Sequence, residues 1–326
     1  MFRAPKSNPQ TTWMPSANKK LLQHRADLLH QIRNFFASRD VLEVETPLLC
    51  QASVTDPYIE SIEAKMHDGD ASYFLQTSPE YAMKRLLAAG SGSIYQISKA
   101  FRSGECGRFH NPEFTMIEWY RIGFDHHQLM DEVDELLQTT LQTSKAKRLS
   151  YAELFQQYLN VNPHMADCAT LSAIASAHHI EVAAQIEDRD TWLEVLMSQV
   201  IEPQLDLKIP FFVYDFPATQ AALARILPGN PPVAARFEVY MSGMELANGF
   251  FELNDSSEQR QRFETNIMKR KQLKRRTMPM DEYFLAALQS GLPDCAGVAL
   301  GFDRLMMLVH DANHIAEVLT FDFSRV

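Results

Sequence analysis

Three stretches of the chain carry residue types suited to a flat, polyanionic ligand. The first is Phe101-Arg102-Ser103-Gly104-Glu105-Cys106-Gly107-Arg108-Phe109-His110-Asn111-Pro112-Glu113-Phe114-Thr115-Met116-Ile117-Glu118-Trp119-Tyr120. An Arg at a strand end supplies a planar, permanently charged fork for phosphate oxygens, and Phe114 on the returning strand offers a stacking face. The second runs from Glu238 to Glu252 and places Glu238, Glu245, Asn248 and Glu252 in strand-like sequence. Carboxylates in so apolar a stretch are costly unless a cation compensates, and Mg²⁺ takes oxygen ligands that it shares with phosphate. The third, Gly301-Phe302-Asp303-Arg304, puts an Arg in the first turn of a helix after a Gly-lined strand. Each also has a purely structural reading: a hairpin, exposed strand acids, a helix start.

The elements that must hold these residues follow from periodicity. Leu21, Leu22, Leu28, Leu29, Ile32, Phe35 and Phe36 recur at helical offsets, which predicts a helix from Asn18 to near Asp40, followed by a strand Leu42–Thr46 that Pro47 stops. Ser78-Pro79-Glu80 reads as a helix start with Ser78 as N-cap. Strands are expected at 93–101 and 114–121, joined by the loop 102–112. Helices are expected at 126–143, 151–159, 171–179 and 190–205, a helical insertion between sheet strands, then strands at 210–216, 236–243 and 245–253. Helices at 255–276 and 281–290 precede the strand that runs into Arg304. Glu238 and Glu245 are an odd seven apart, so a turn at Met241-Ser242-Gly243 must bring them together, and Asn248-Gly249 offers a bulge for Glu252.

The whole pattern is α+β with an antiparallel sheet, and without Gly-x-Gly-x-x-Gly or Gly-x-x-x-x-Gly-Lys-Ser/Thr a Rossmann or P-loop site is disfavoured. The 326 residues, with 31 basic and 41 acidic side chains and net charge −10, argue against a protein that chiefly grips a nucleic acid backbone. Four scattered cysteines indicate neither a disulfide framework nor a zinc site. No stretch approaches the ~18 apolar residues of a membrane span. A reduced, cytoplasmic protein is expected, with residues 1–17 as a tail.

Together and in this order, the three stretches resemble the signature motifs of class II aminoacyl-tRNA synthetases. The phrases His110-Asn111-Pro112-Glu113-Phe114-Thr115 and Asn248-Gly249-Phe250 with Glu252 narrow the likeness to the lysyl branch, over about residues 18–326. The seventeen residues ahead of the first helix are too few for an anticodon-binding barrel, so no tRNA anticodon contact is expected. A free-standing lysyl-type domain resembles the elongation factor P–lysine lysyltransferase family, which modifies a protein lysine.

That resemblance implies a class II catalytic domain that dimerises through its first motif. It implies activation of a lysine-type amino acid by ATP with Mg²⁺, and transfer of the acyl group to a lysine of elongation factor P. Arg102 would bridge the α-phosphate and the substrate carboxylate, and Arg304 would hold the γ-phosphate. Glu238 and Glu245 would carry the metal. Asn111 and the backbone near Ser103, Gly104, Leu246 and Gly301 would contact nucleotide, with Phe114 against adenine. Glu252 and Tyr120 would take the terminal ammonium, with Glu118 and Asn248 adjacent, while Ser78, Pro79 and Glu80 would border the other amine. Ala299, where tRNA-charging relatives generally have Gly, should crowd an α-amine and favour (R)-β-lysine.

Gly104 stands where lysyl enzymes usually have Glu, which removes a side-chain contact there. A tRNA-charging enzyme without anticodon domain and a non-catalytic regulatory subunit are the alternatives. The run Lys269-Arg270-Lys271 with Lys274-Arg275-Arg276 is either a guide for an acidic partner or a solvated helix end. His126-His127 and His178-His179 receive no role.

Overall fold

The computed structural model describes residues 13–65, 72–181, 186–205 and 208–326. The chain divides into two compact units, one comprising residues up to Gly123 and from Asn254 onward, the other Phe124–Leu253.

In the first unit, α1 (Lys19–Ala37) opens where the Asn18 side chain accepts the Leu21 N–H at 2.9 Å, and buries Leu28, Ile32, Phe35 and Phe36 along one stripe. Asp40 then takes a left-handed conformation (φ 54°), and β1 (Leu42–Glu43) is shorter than the expected run to Thr46. β2 (Leu49–Cys50), β3 (Glu63–Lys65) and β4 (Ser72–Leu75) make a small antiparallel sheet in the order β2-β4-β3. After α2 (Glu80–Ala88) come β5 (Ile94–Phe101) and β6 (Glu113–Ile122), an antiparallel pair whose Tyr95 and Trp119 pack on Phe36 at ring distances of 4.3 and 5.3 Å. Residues 1–12 of the expected tail lie outside the described residues. The part that follows is tied down: Ser16 N–H donates to the Thr320 carbonyl at 2.8 Å.

The second unit begins with α3 (His126–Leu141), closed by an Asp125/Gln128 capping box. A strand that was not expected, β7 (Lys147–Ser150), precedes α4 (Tyr151–Leu159), α5 (Cys168–Ala177) and α6 (Arg189–Leu196). The expected helix 190–205 carries on from Leu196 only as a π-turn and a 3-10 turn around Pro203, which brings no amide hydrogen. β8 (Phe211–Pro217), β9 (Ile226–Leu227), β10 (Val233–Met241) and β11 (Met244–Phe251) follow, in the order β11-β10-β8-β7 with β9 also on β10. Tyr151, Phe155, Leu193, Ile201 and Val213 belong to the core between these helices and strands.

The chain returns to the first unit with α7 (Ser256–Gln272), α8 (Glu282–Gly291), β12 (Cys295–Gly301) and α9 (Phe302–His310). There the strand order is β1-β5-β6-β12, with β12 antiparallel to β6. The fold is therefore α+β and largely antiparallel, as expected, with parallel pairs at β1–β5 and β7–β8. The basic run requires correction. Arg270 is fully buried and holds the Ile59 carbonyl at 3.0 Å and the Glu60 carboxylate at 2.8 Å, and Arg276 grips Glu63 at 2.7 Å. Arg270, Arg275 and Arg276 thus tie down residues 56–63, while Lys271 and Lys274 stay exposed at the helix end as the solvated reading expects, so it is Arg270 that departs from that reading. Among the described residues no helix is long and apolar enough to cross a membrane.

Candidate active site

Side chains alternate across a sheet, so the register of β5, β6 and β12 decides which residues share a face. Gln96, Glu118 and Ala299 form one row; Ile94, Tyr120 and Gly297 form the next; Ser98, Met116 and Gly301 form the third. β12 thus presents only small residues to the face that carries Glu118, which leaves room above it. Glu118 is 2% exposed, and its carboxylate accepts the Tyr120 hydroxyl at 2.6 Å and the Ser78 hydroxyl at 2.7 Å. Burial, reinforced by the Glu80 charge, pushes the Glu118 carboxyl up to about 7 against the pull of those two hydrogen bonds. Ser78 is not the N-cap, since α2 starts one residue later behind Pro79, yet its hydroxyl still accepts the Glu80 N–H at 3.1 Å. Glu80 in turn pairs with the buried Lys84 at 2.6 Å. Ser78, Glu80, Glu118 and Tyr120 are therefore one connected, largely buried polar array, able to take a ligand ammonium.

At the other end of the same face lies the expected phosphate region. Arg102 follows β5, with its backbone N–H on the Pro112 carbonyl at 2.9 Å and its guanidinium 5.2 Å from the centre of the Phe114 ring. Its Nε is buried and meets no acceptor among the described residues, as suits a fork for an anionic ligand. Ser103 is held by the Glu60 carbonyl at 2.7 Å, and Gly104 is left-handed (φ 81°), a conformation poorly suited to Glu. Gly301 has an ordinary φ of −73°, and a Cβ there would come no closer than 3.6 Å to another side chain, so protein packing alone does not require glycine.

Arg304 donates to the Phe109 carbonyl at 3.2 Å and to His110 Nε2 at 2.7 Å. A guanidinium only donates, so Nε2 accepts and the ring proton sits on Nδ1. Loss of solvation, then the Arg304 charge, holds the imidazole below its usual pKa. The neighbouring Asp303 is 1% exposed and takes the Thr115 N–H at 2.6 Å and Arg25 at 2.7 Å, which ties α1, β6 and α9 together beneath Arg304. Asn111 spends its amide on the Glu113 carbonyl at 2.6 Å and the Phe323 N–H at 3.0 Å, so its side chain pins the C-terminal segment.

In the second unit, Ser242 and Gly243 both have positive φ (53° and 71°), which makes the tight β10–β11 turn. The register slips between Val239 and Tyr240: Val239 faces Ala247, but Tyr240 faces Glu245, leaving Leu246 as a bulge. That extra residue puts Glu245 on the same face as Glu238 and its partner Asn248, and the register runs on unbroken through Asn248-Gly249, where a bulge was expected for Glu252. Glu238 is 8% exposed and accepts from both Arg236 and the Tyr240 hydroxyl, and Arg236 also donates to Asn248 at 3.2 Å. Glu245 is exposed, Leu246 and Glu252 are buried, and the Glu252 backbone carbonyl receives Arg225 at 3.3 Å. Each carboxylate oxygen has two lone pairs, so Glu238 can keep both partners and still offer oxygen alongside Glu245. These hard donors fit Mg²⁺.

Several residues of this machinery escaped the sequence reading. His110 lay inside the quoted motif without a role, and Arg236 sits two residues before Glu238, where strand period alone puts it on the same face. Gln96 is buried beside Glu118, in the row that continues to Ala299, with an Oε1 that has no hydrogen-bond partner among the described residues. Only the register reveals it.

Residues 8–325 match the family described as tRNA synthetases class II (D, K and N). Three relatives bear the name elongation factor P-(R)-β-lysine ligase. That of Vibrio cholerae is 52% identical over 318 residues, covering 96% of this chain and 98% of its own length. Those of Haemophilus influenzae and Klebsiella pneumoniae are 50% and 49% identical, over 95% and 96% of this chain and 97% and 98% of their own. With the motifs, the α+β fold and a match across nearly every residue, this chain belongs to the class II tRNA synthetase family (D, K and N).

Proposed function

We propose that the protein is an ATP-dependent ligase that activates a lysine-type amino acid, (R)-β-lysine, and joins it to a lysine side chain of elongation factor P. The observation that carries this reading is the shared name of relatives about half identical to the chain along almost its entire length. The site chemistry supports it. A carboxylate oxygen of the amino acid attacks the α-phosphorus of ATP, and pyrophosphate leaves. The acceptor amine then attacks the acyl carbon, AMP leaves with the bonding electron pair, and the amine loses a proton.

Such chemistry needs positioning and charge stabilisation more than covalent help. Arg102, with Phe114 beside it, would orient the α-phosphate and the substrate carboxylate. Arg304, braced by His110 and the Asp303–Arg25 pair, would hold the γ-phosphate. Tyr120, Glu118 and Glu252 would receive the substrate's terminal ammonium, with Asn248 adjacent, while Ser78, Pro79, Glu80 and Ala299 would shape the space around the other amine. Mg²⁺, carried by Glu238 and Glu245, would neutralise charge on the leaving pyrophosphate. Leu42, in the two-residue edge strand β1, is 58% exposed, and Leu48 and Leu49 are also exposed, which supports a homodimer built on the first motif. A translation-related enzyme of this kind works in the cytoplasm.

The direct test is mass spectrometry of elongation factor P after incubation with the protein, ATP·Mg²⁺ and (R)-β-lysine. The acceptor should gain the mass of one lysyl group on one lysine. An unmodified acceptor together with lysine-charged tRNA would overturn the proposal.

A further inference from the structure

His126 and His127 belong to no motif and take no part in the chemistry above, yet the fold of the second unit aims both at one carboxylate. They are the first two residues of α3, where successive side chains ordinarily diverge by about 100°. Here the two rings lie only 4.1 Å apart. His126 is 2% exposed and its Nε2 is 3.0 Å from Asp215 Oδ1. Asp215 stands in the middle of β8 with φ 57°, where Asp is tolerated but uncommon. The ladder shows why. Tyr214 pairs with Phe237 and Phe216 with Ala234, so Asp215 alone faces two residues of β10, and the kink turns it out of the pleat. One ligand atom from each of His126, His127 and Asp215 falls within a common 4.8 Å.

We propose that His126, His127 and Asp215 form a binding site for a borderline divalent transition metal, Zn²⁺ being the best match, separate from the carboxylate site for Mg²⁺. Two imidazole nitrogens and one carboxylate oxygen are the donors that Zn²⁺ prefers, whereas Mg²⁺ takes oxygen alone. Ligand atoms around a tetrahedral ion with bonds of about 2.0–2.1 Å lie roughly 3.3 Å apart. The His126–Asp215 separation is already near that value, and His127, which is exposed, can rotate to close the remainder. Its open side leaves the fourth position to water. Bound there, the ion would fasten the start of α3 to the kink in β8.

The test uses the full-length protein, stripped with a chelator and titrated with Zn²⁺ against a chromophoric competitor, with Co²⁺ as a spectroscopic substitute. Wild type should bind one Zn²⁺ at this site and raise its melting temperature, and Co²⁺ should give the visible bands of a tetrahedral site. His127→Ala, at an exposed position, and Asp215→Asn, which keeps a residue that accepts left-handed backbone, should each weaken binding at least tenfold, because even indirect supports of a metal site are worth about 10–100-fold. Pyrophosphate–ATP exchange at saturating Mg²⁺ should be unchanged in His127→Ala. Wild type that takes up no Zn²⁺ at tens of micromolar, or binding that survives both substitutions, would overturn the assignment.

Discussion

Lowering the pH should switch off recognition of the substrate amine before it harms the fold, through Glu118. Its carboxyl is raised from 4.5 to about 7, chiefly by burial and then by the charge of Glu80. At about 1.4 kcal/mol per pH unit, that is about 3 kcal/mol set against the charged form in the ligand-free protein. An ammonium beside Glu118 needs the carboxylate, so below about pH 7 the ligand must first expel a proton. Affinity for (R)-β-lysine should therefore fall roughly tenfold per pH unit from pH 7 towards 5 and level off above 7. The sign for stability is the reverse. A carboxyl whose folded value lies above its unfolded one contributes stability below about pH 4.5, and that contribution is lost as the pH rises through 7. Calorimetry at pH 6 and pH 8, in two buffers of different ionisation enthalpy, reads the proton directly. Wild type should release close to one proton per ligand at pH 6 and almost none at pH 8, and Glu118→Gln should release none at either. Equal affinity at both pH values without buffer-dependent heat, or proton release that persists in Glu118→Gln, would refute the reasoning.

Other perturbations probe different parts of the molecule. Arg102→Ala should cut amino-acid-dependent pyrophosphate–ATP exchange at least about 100-fold, the usual cost of losing one contact to developing charge, with an unchanged melting temperature because the side chain is partly exposed. Retained exchange would remove Arg102 from the site. Ala299 lies directly beside Glu118 in the β6–β12 register, so Ala299→Gly should shift the ratio of β-lysine to α-lysine use towards α-lysine by about 10–100-fold in a competition assay. An unchanged ratio would place the choice of isomer elsewhere. Gly249→Ala would set a methyl carbon 2.3 Å from the Phe237 ring, and the overpacking should cost about 1–3 kcal/mol in denaturant unfolding. Wild-type stability in that variant would mean that the ring moves freely.

What the sequence determined by itself was whatever depends on neighbours along the chain. The apolar spacing from Leu21 to Phe36 sufficed for α1, because helix period and cap are local properties. The three motifs, in order, sufficed for the family. Tertiary structure decided the rest, because it depends on partners distant in sequence. Arg270 looked like one more cation on a basic helix until residues 56–60 folded over it and made it a buried clamp. β7 was too polar and short to be read as a strand without β8 beside it. Glu245 reaches the face of Glu238 through a bulge at Leu246, and a slip of one residue in register exchanges the two faces of a strand, so no count along β11 alone could choose. Glu118 could be named from its motif, but its proton could not. That is set by burial under Ser78, Tyr120 and the strand rows around it, and only packing removes the water that would otherwise keep a carboxylate charged.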